Sequence, residues 1–73
     1  MIEYRAALYS SYPDGIECLE YRPTPAEAMA AAQSWAHECQ PLLFVSEPEG
    51  LHPKAWGAID GIGQFFLVEE VDR

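Results

Sequence analysis

The stretch that decides the fold reads TPAEAMAAAQSW and covers residues 24–35. Thr24 can cap a helix because its hydroxyl accepts a backbone hydrogen bond, and Pro25 suits the first helical position. Glu27 lies three residues after Thr24, which completes the sequence pattern of a capping box. The sequence therefore predicts a helix over residues 25–38.

One side of this predicted helix is apolar and consists mostly of alanine. Because alanine is small, such a stripe lets the helix lie close to a sheet, with Trp35 as its one large anchor. Pro41 prevents the helix from continuing. At about 100° per residue, the side chains that share this face are Ala28, Met29, Ala31, Ala32, Trp35, Ala36 and Cys39.

The chain before the helix predicts two strands joined by a turn. Residues 2–9 alternate in the way that is typical of a half-buried strand. Pro13 presets the backbone for a turn and Gly15 can adopt a positive φ, so we expect the chain to reverse there. Residues 16–22 return as a second strand, whose blurred alternation indicates a bulge or an edge position. The predicted core face of the first strand carries Ile2, Tyr4, Ala6 and Leu8.

Three more strands are predicted after the helix. Residues 41–45 are apolar without alternation, which favours a central strand that is buried on both faces. Residues 47–54 contain two prolines and a glycine and are expected to form a loop. Residues 56–59 and 64–71 predict two further strands, joined by a tight hairpin over residues 60–63.

These elements define an α+β fold class in the order ββαβββ. We expect an antiparallel sheet of four to five strands with one helix packed on one face, and a single compact domain over residues 1–73. Since one helix covers only one face of the sheet, the other face must be exposed to solvent or covered by a partner. Candidate residues for that second face are Tyr9, Tyr21 and one of the pair Phe65 and Phe66.

Charge is the property that constrains a partner. Twelve acidic residues face four Lys and Arg, which gives a formal net charge of −8. Such a field repels nucleic acid and anionic membranes and attracts basic surfaces. If the carboxylates converge on one side of the sheet they form a binding surface, and if they point apart they serve solubility alone. The predicted protein-binding residues are Asp14, Glu17, Glu20, Glu47, Glu49, Glu69, Glu70 and Asp72.

Metal binding and catalysis are not favoured by the sequence. His37 and Cys39 are two residues apart, so on a helix they point about 200° apart and cannot share one ion. Cys39 lies near the predicted C-terminus of the helix, where the dipole disfavours a thiolate that could act with His52. Cys18 has no partner at metal-ligand spacing. The sequence predicts no catalytic residue, no cofactor and no metal.

Cysteine usage and hydropathy indicate a compartment. Cys18 and Cys39 show no disulfide framework, and the first residues lack the pattern of a signal peptide. No apolar run approaches the roughly 18 residues that a membrane-spanning helix needs. We therefore expect a cytoplasmic protein with reduced thiols.

By class, the chain resembles the small acidic proteins that phages encode against host defence, anti-CRISPR proteins above all. The resemblance rests on its 73-residue length, its charge, its lack of catalytic motifs and its α+β pattern. It implies an inhibitor in the host cytoplasm that binds a CRISPR effector at its nucleic-acid groove.

Three functional hypotheses follow from these observations. The leading one is a non-enzymatic acidic module that binds a basic protein surface, without direct contact to nucleic acid or membrane. The alternative is a structural or regulatory homodimer in which the acidic face has no role, because so short a chain gains stability from a partner. The third is a small ligand-binding protein or enzyme that uses Cys39, His52 or surface carboxylates.

Overall fold

A computed structural model describes residues 1–12, 14–36, 41–46, 54–60 and 63–73 of the chain. These residues form an α+β fold with one antiparallel five-stranded sheet and one helix, which confirms the predicted fold class. The predicted strand count and order fit roughly. The elements are β1 (Ile2–Ser11), β2 (Gly15–Arg22), α1 (Pro25–Ser34), β3 (Val45–Ser46), β4 (Ala55–Ile59) and β5 (Phe65–Asp72).

The last strand of the chain, β5, is the central strand of the sheet. The strands lie in the order β2-β1-β5-β4-β3, and each neighbouring pair is antiparallel. Phe66 and Val68 of β5 are fully buried on the face that packs against α1, whereas Leu67 is buried on the opposite face. Burial on both faces explains why β5 begins with four apolar residues in succession.

The prediction that residues 41–45 form the central strand is wrong. β3 has two residues, pairs with β4 and lies at the edge of the sheet. Leu42 and Phe44 pack against the core, but Leu43 remains 80% exposed. The run is therefore a half-buried connection, and the two-sided burial that it was expected to have belongs to β5.

The helix packs on the sheet through alanines, as the sequence predicts. Ala28 and Ala32 are completely buried and Ala31 is buried, while Trp35 packs at the border of the same cluster. Small side chains allow close approach, so the strands supply the bulk of the core volume. The buried strand residues on this face are Ala6, Leu8, Ala58, Phe66 and Val68.

The start of α1 is confirmed and its predicted end is wrong. The Thr24 hydroxyl accepts a hydrogen bond from the Glu27 backbone N–H at 3.2 Å and donates one to the Glu27 carboxylate at 3.1 Å. The helix ends at Ser34, where the backbone tightens and the N–H of Trp35 donates to the carbonyl of Ala32 at 3.0 Å. Because the Trp35 N–H makes the hydrogen bond of this tighter turn, it does not make the bond that would continue the α-helix.

The turn between β1 and β2 uses its glycine differently from the prediction. Gly15 does not have a positive φ; among the described residues only Gly63 does. A Cβ at Gly15 would lie 2.7 Å from the Ser10 Oγ and 3.0 Å from the Ser11 backbone nitrogen, so close approach is what requires glycine here. Register shifts on both sides of Tyr9 confirm the predicted bulge, and β2 is an outer strand.

Candidate functional site

The antiparallel register gives the sheet two chemically different ends. At the first, here named the termini end, Ile2 lies opposite Asp72 and β2 finishes. At the second, named the hairpin end, β1 turns into β2, and Tyr9 and Ile59 both lie opposite Phe65. Side chains from distant parts of the sequence therefore meet at each end.

Every Lys and Arg of the chain lies towards the termini end and contacts a carboxylate. The amino terminus does the same, at 3.0 Å from Asp72. Cations and anions therefore balance locally at this end. The side-chain pairs are Arg5 with Glu69, Arg22 with Glu20 at 2.6 Å, Arg73 with Glu3 at 3.2 Å and Lys54 with Glu70 at 4.0 Å.

Four of the predicted binding carboxylates belong to this balanced end. Glu20 is half-buried and Asp72 is exposed, and each belongs to an ion pair at the surface. Glu70 accepts a hydrogen bond from the Tyr4 hydroxyl at 3.3 Å. Glu69 is only 2% exposed, so its carboxylate lies in the interior of the fold and does not reach a partner surface.

Two other predicted binding residues lie at the hairpin end. Asp14 and Glu17 are exposed, and neither forms an ion pair with any part of the chain that the structure describes. Glu47 and Glu49 lie outside the described residues. The six described candidates thus do not form the single acidic surface that the binding hypothesis expected: four contact cations, and only Asp14 and Glu17, at the hairpin end, remain for a smaller acidic surface.

The sheet face opposite α1, here named the open face, carries an aromatic cluster at the hairpin end. The rings of Tyr9 and Phe65 are cross-strand neighbours with centroids 6.1 Å apart. Tyr12 contacts both of them edge-on, at 4.9 Å from each centroid, and remains 57% exposed. Tyr9 and Phe65 therefore lie on the face that the sequence predicted for them, although Tyr9 is buried there. Phe66 faces the helix instead.

A buried ion pair separates this aromatic cluster from the termini end. Arg5 and Glu69 are register partners on β1 and β5, and their side chains are hydrogen-bonded. Burial is the largest single influence on Arg5 and lowers its pKa, but the Glu69 carboxylate, with Tyr9 and Tyr21, holds the pKa of Arg5 above its ordinary value. Burial also raises the pKa of Tyr9, against the opposing effect of Arg5. At neutral pH the Arg5 guanidinium is therefore charged and the Tyr9 phenol is neutral.

An apolar groove with a volume of about 310 Å³ crosses β4 beside this cluster. Val45, Gly57 and Leu67 lie side by side on three neighbouring strands, so the missing side chain of Gly57 leaves a gap between two apolar neighbours. Ile59 is 68% exposed at the groove wall. The lining residues are Leu43, Val45, Gly57, Ala58, Ile59 and Phe65.

Sequence reasoning did not find this groove. It assigned residues 41–45 to the core and therefore removed Leu43 and Val45 from the surface. The available signal was Gly57, because a glycine inside a predicted strand marks a gap or a close backbone approach.

The described residues were expected to hold no metal site, and two of the residues named for one lie outside them. Within those ranges no group of three or more His, Cys, Asp or Glu side chains is placed to hold a metal ion. Cys18 is a half-buried free thiol beside the core. His37, Cys39 and His52, on which the ligand-binding or enzyme hypothesis depends, lie outside the described residues. None of the described helical segments is both long enough and apolar enough to span a bilayer.

Comparisons with protein-family models, with curated proteins and with solved structures find no match to this chain.

Proposed function

We propose that this protein is a non-enzymatic binding module that recognises a basic surface on a partner protein. The observation that carries the proposal is the separation of charge along the sheet. All four Lys and Arg contact carboxylates towards the termini end, whereas Asp14 and Glu17 are exposed at the hairpin end. With a net charge of −8, the negative field that a partner meets is strongest away from those cations.

The hairpin end combines the two features that a binding surface uses. Exposed carboxylates steer a basic partner towards the module and set the salt dependence of association. A partly exposed aromatic residue supplies contact area at low cost in conformational entropy. Tyr12 has this role in the proposal, since it lies two residues from Asp14 and is held by its contacts with Tyr9 and Phe65.

In its finer form, the proposal is that the basic surface is a nucleic-acid groove and that the protein is an inhibitor of the anti-CRISPR type encoded by a phage. The support is chemical. Grooves that bind nucleic acid collect Lys and Arg to neutralise phosphates, and exposed carboxylates at the hairpin end present the same sign of charge. The protein would then compete with nucleic acid for its partner.

A homodimer is the second candidate, and the position of β2 favours it. β2 is an eight-residue outer strand, and none of the described strands covers its free edge. Such an edge can pair with a second copy. Glu17 and Glu20 oppose this pairing, because acidic residues from two copies would lie close together along it.

The affinity of the protein for nucleic-acid-free CRISPR effector subunits, measured by calorimetry, tests the proposal. We expect binding that weakens at least about tenfold between about 50 and 200 mM salt, because ion contacts are screened. Bound protein should also prevent a labelled DNA duplex from associating with the effector. Affinity that does not change with salt would reject electrostatic recognition. Failure to bind any effector in a broad panel would reject the finer form.

A further inference from the structure

We propose that the apolar groove over Gly57 is the docking site for an extended, basic segment of the partner protein, which inserts one large apolar side chain. This inference rests on the proposed function, since it names the part of the partner that is recognised. It commits to a peptide-like occupant in which Lys or Arg residues flank a residue such as Phe or Leu.

The groove is large enough to accept one large apolar side chain. A volume of about 310 Å³ lies at the lower limit of the roughly 300–1,000 Å³ that small-molecule pockets occupy. The floor is Gly57, and Val45, Ile59 and Phe65 supply apolar walls. Gly57 lines the groove without a side chain of its own and does not have a positive φ.

The edge of the sheet beside the groove suits an extended segment. Val45 and Ser46 pair with Gly57 and Trp56 on one side, and no described strand pairs with their other side. An extended peptide can hydrogen-bond to such an edge while every second side chain points to one face. The side chain that points to the open face would then enter the groove.

Charge selects a basic partner segment over a second copy of this chain. Two copies would each bring a net charge of −8 to the contact, which opposes association. A basic segment instead gains from the same field. The contact between Tyr12 and Phe65 links the groove to the turn that carries Asp14. Exposed negative charge therefore lies beside the apolar surface at the hairpin end.

The test uses two short synthetic peptides that differ at one position. Both carry Lys and Arg, and the central residue is Phe in the first and Ser in the second. We expect the Phe peptide to bind at least about tenfold more tightly, as one buried aromatic side chain allows. NMR shift changes should centre on Gly57, Ile59 and Phe65.

Two variants locate the binding site. Gly57→Val fills the groove, and Leu43→Ser removes an exposed wall at little cost to folding, since Leu43 is 80% exposed. Both should reduce binding of the Phe peptide to the level of the Ser peptide. Leu19→Ser is the matched control, because Leu19 is an exposed leucine on β2, at the opposite edge of the sheet from the groove. It should leave affinity unchanged.

The possible results distinguish a failure of the groove proposal from a failure of the proposed function. Equal affinity of the two peptides, with shift changes only around Asp14 and Glu17, would overturn the groove proposal and leave the acidic module intact. Absence of binding by both peptides would overturn both. A mass by light scattering that doubles with concentration, and returns to that of a monomer in Leu43→Ser, would assign the groove to a second copy.

Discussion

Replacing Phe66 with alanine is expected to lower the free energy of unfolding by about 3–5 kcal/mol. Phe66 is fully buried where the central strand meets α1, and the small alanines of the helix cannot fill the space that would open. A chain of 73 residues has a total stability of about 4–11 kcal/mol, so the loss removes a large part of it. Urea denaturation followed by circular dichroism measures the change.

Phe65→Ala is the matched control for this prediction. The two phenylalanines are adjacent in the chain, but Phe65 lies half-buried on the open face. We expect its removal to cost about 1–2 kcal/mol, since part of the ring already meets solvent. Equal losses for the two variants would mean that the helix does not cover the face to which Phe66 is assigned.

Replacing Arg5 with methionine is expected to cost about 3 kcal/mol. The Glu69 carboxylate is 2% exposed and would lose the cation that offsets its desolvation. Arg22→Met is the control, because Arg22 and Glu20 form a half-exposed pair. Its loss should cost less than about 1 kcal/mol. Chemical denaturation at neutral pH measures both.

A second change distinguishes the ion pair from simple loss of packing. The double variant Arg5→Met with Glu69→Leu lacks both the buried carboxylate and the cation that paired with it. The double variant should regain most of the lost stability, because replacing a whole buried pair by apolar residues is often neutral. If the double variant is less stable than Arg5→Met alone, Glu69 stabilises the fold through contacts other than Arg5.

Local chemistry made much of the fold predictable. The cap at Thr24 and the alternation in β1 each depend on residues within a few positions of one another, and both are confirmed. The end of α1 was misplaced because the alanine-rich pattern continues past Ser34, whereas the backbone tightens at Trp35. Boundaries of this kind are decided by the tertiary setting rather than by periodicity.

Strand order could not be predicted because it depends on contacts between distant residues. Two short apolar runs, residues 42–45 and 65–68, both have the composition of a buried strand. Only the pairing of β1 with β5 places the second run at the centre and leaves the first at the edge.

The sequence predicted the sign of the charge at the candidate site, but it did not predict where in the fold that site lies. Composition alone indicated a basic partner, since the net charge is −8. The separation of charge depends on pairs such as Arg5 with Glu69, which are 64 residues apart in sequence. Glu69, Glu70 and Asp72 look like a free acidic tail in the sequence, but each contacts a cation in the fold.

The most direct test of the central claim compares two double variants with the same change in charge. Asp14→Asn with Glu17→Gln removes the two exposed carboxylates of the hairpin end, and Glu20→Gln with Asp72→Asn removes two surface carboxylates of the termini end. The affinity for the basic Phe peptide at low salt should fall at least about tenfold in the first variant and less than about threefold in the second. Equal losses would mean that net charge alone, and not its separation along the sheet, governs binding.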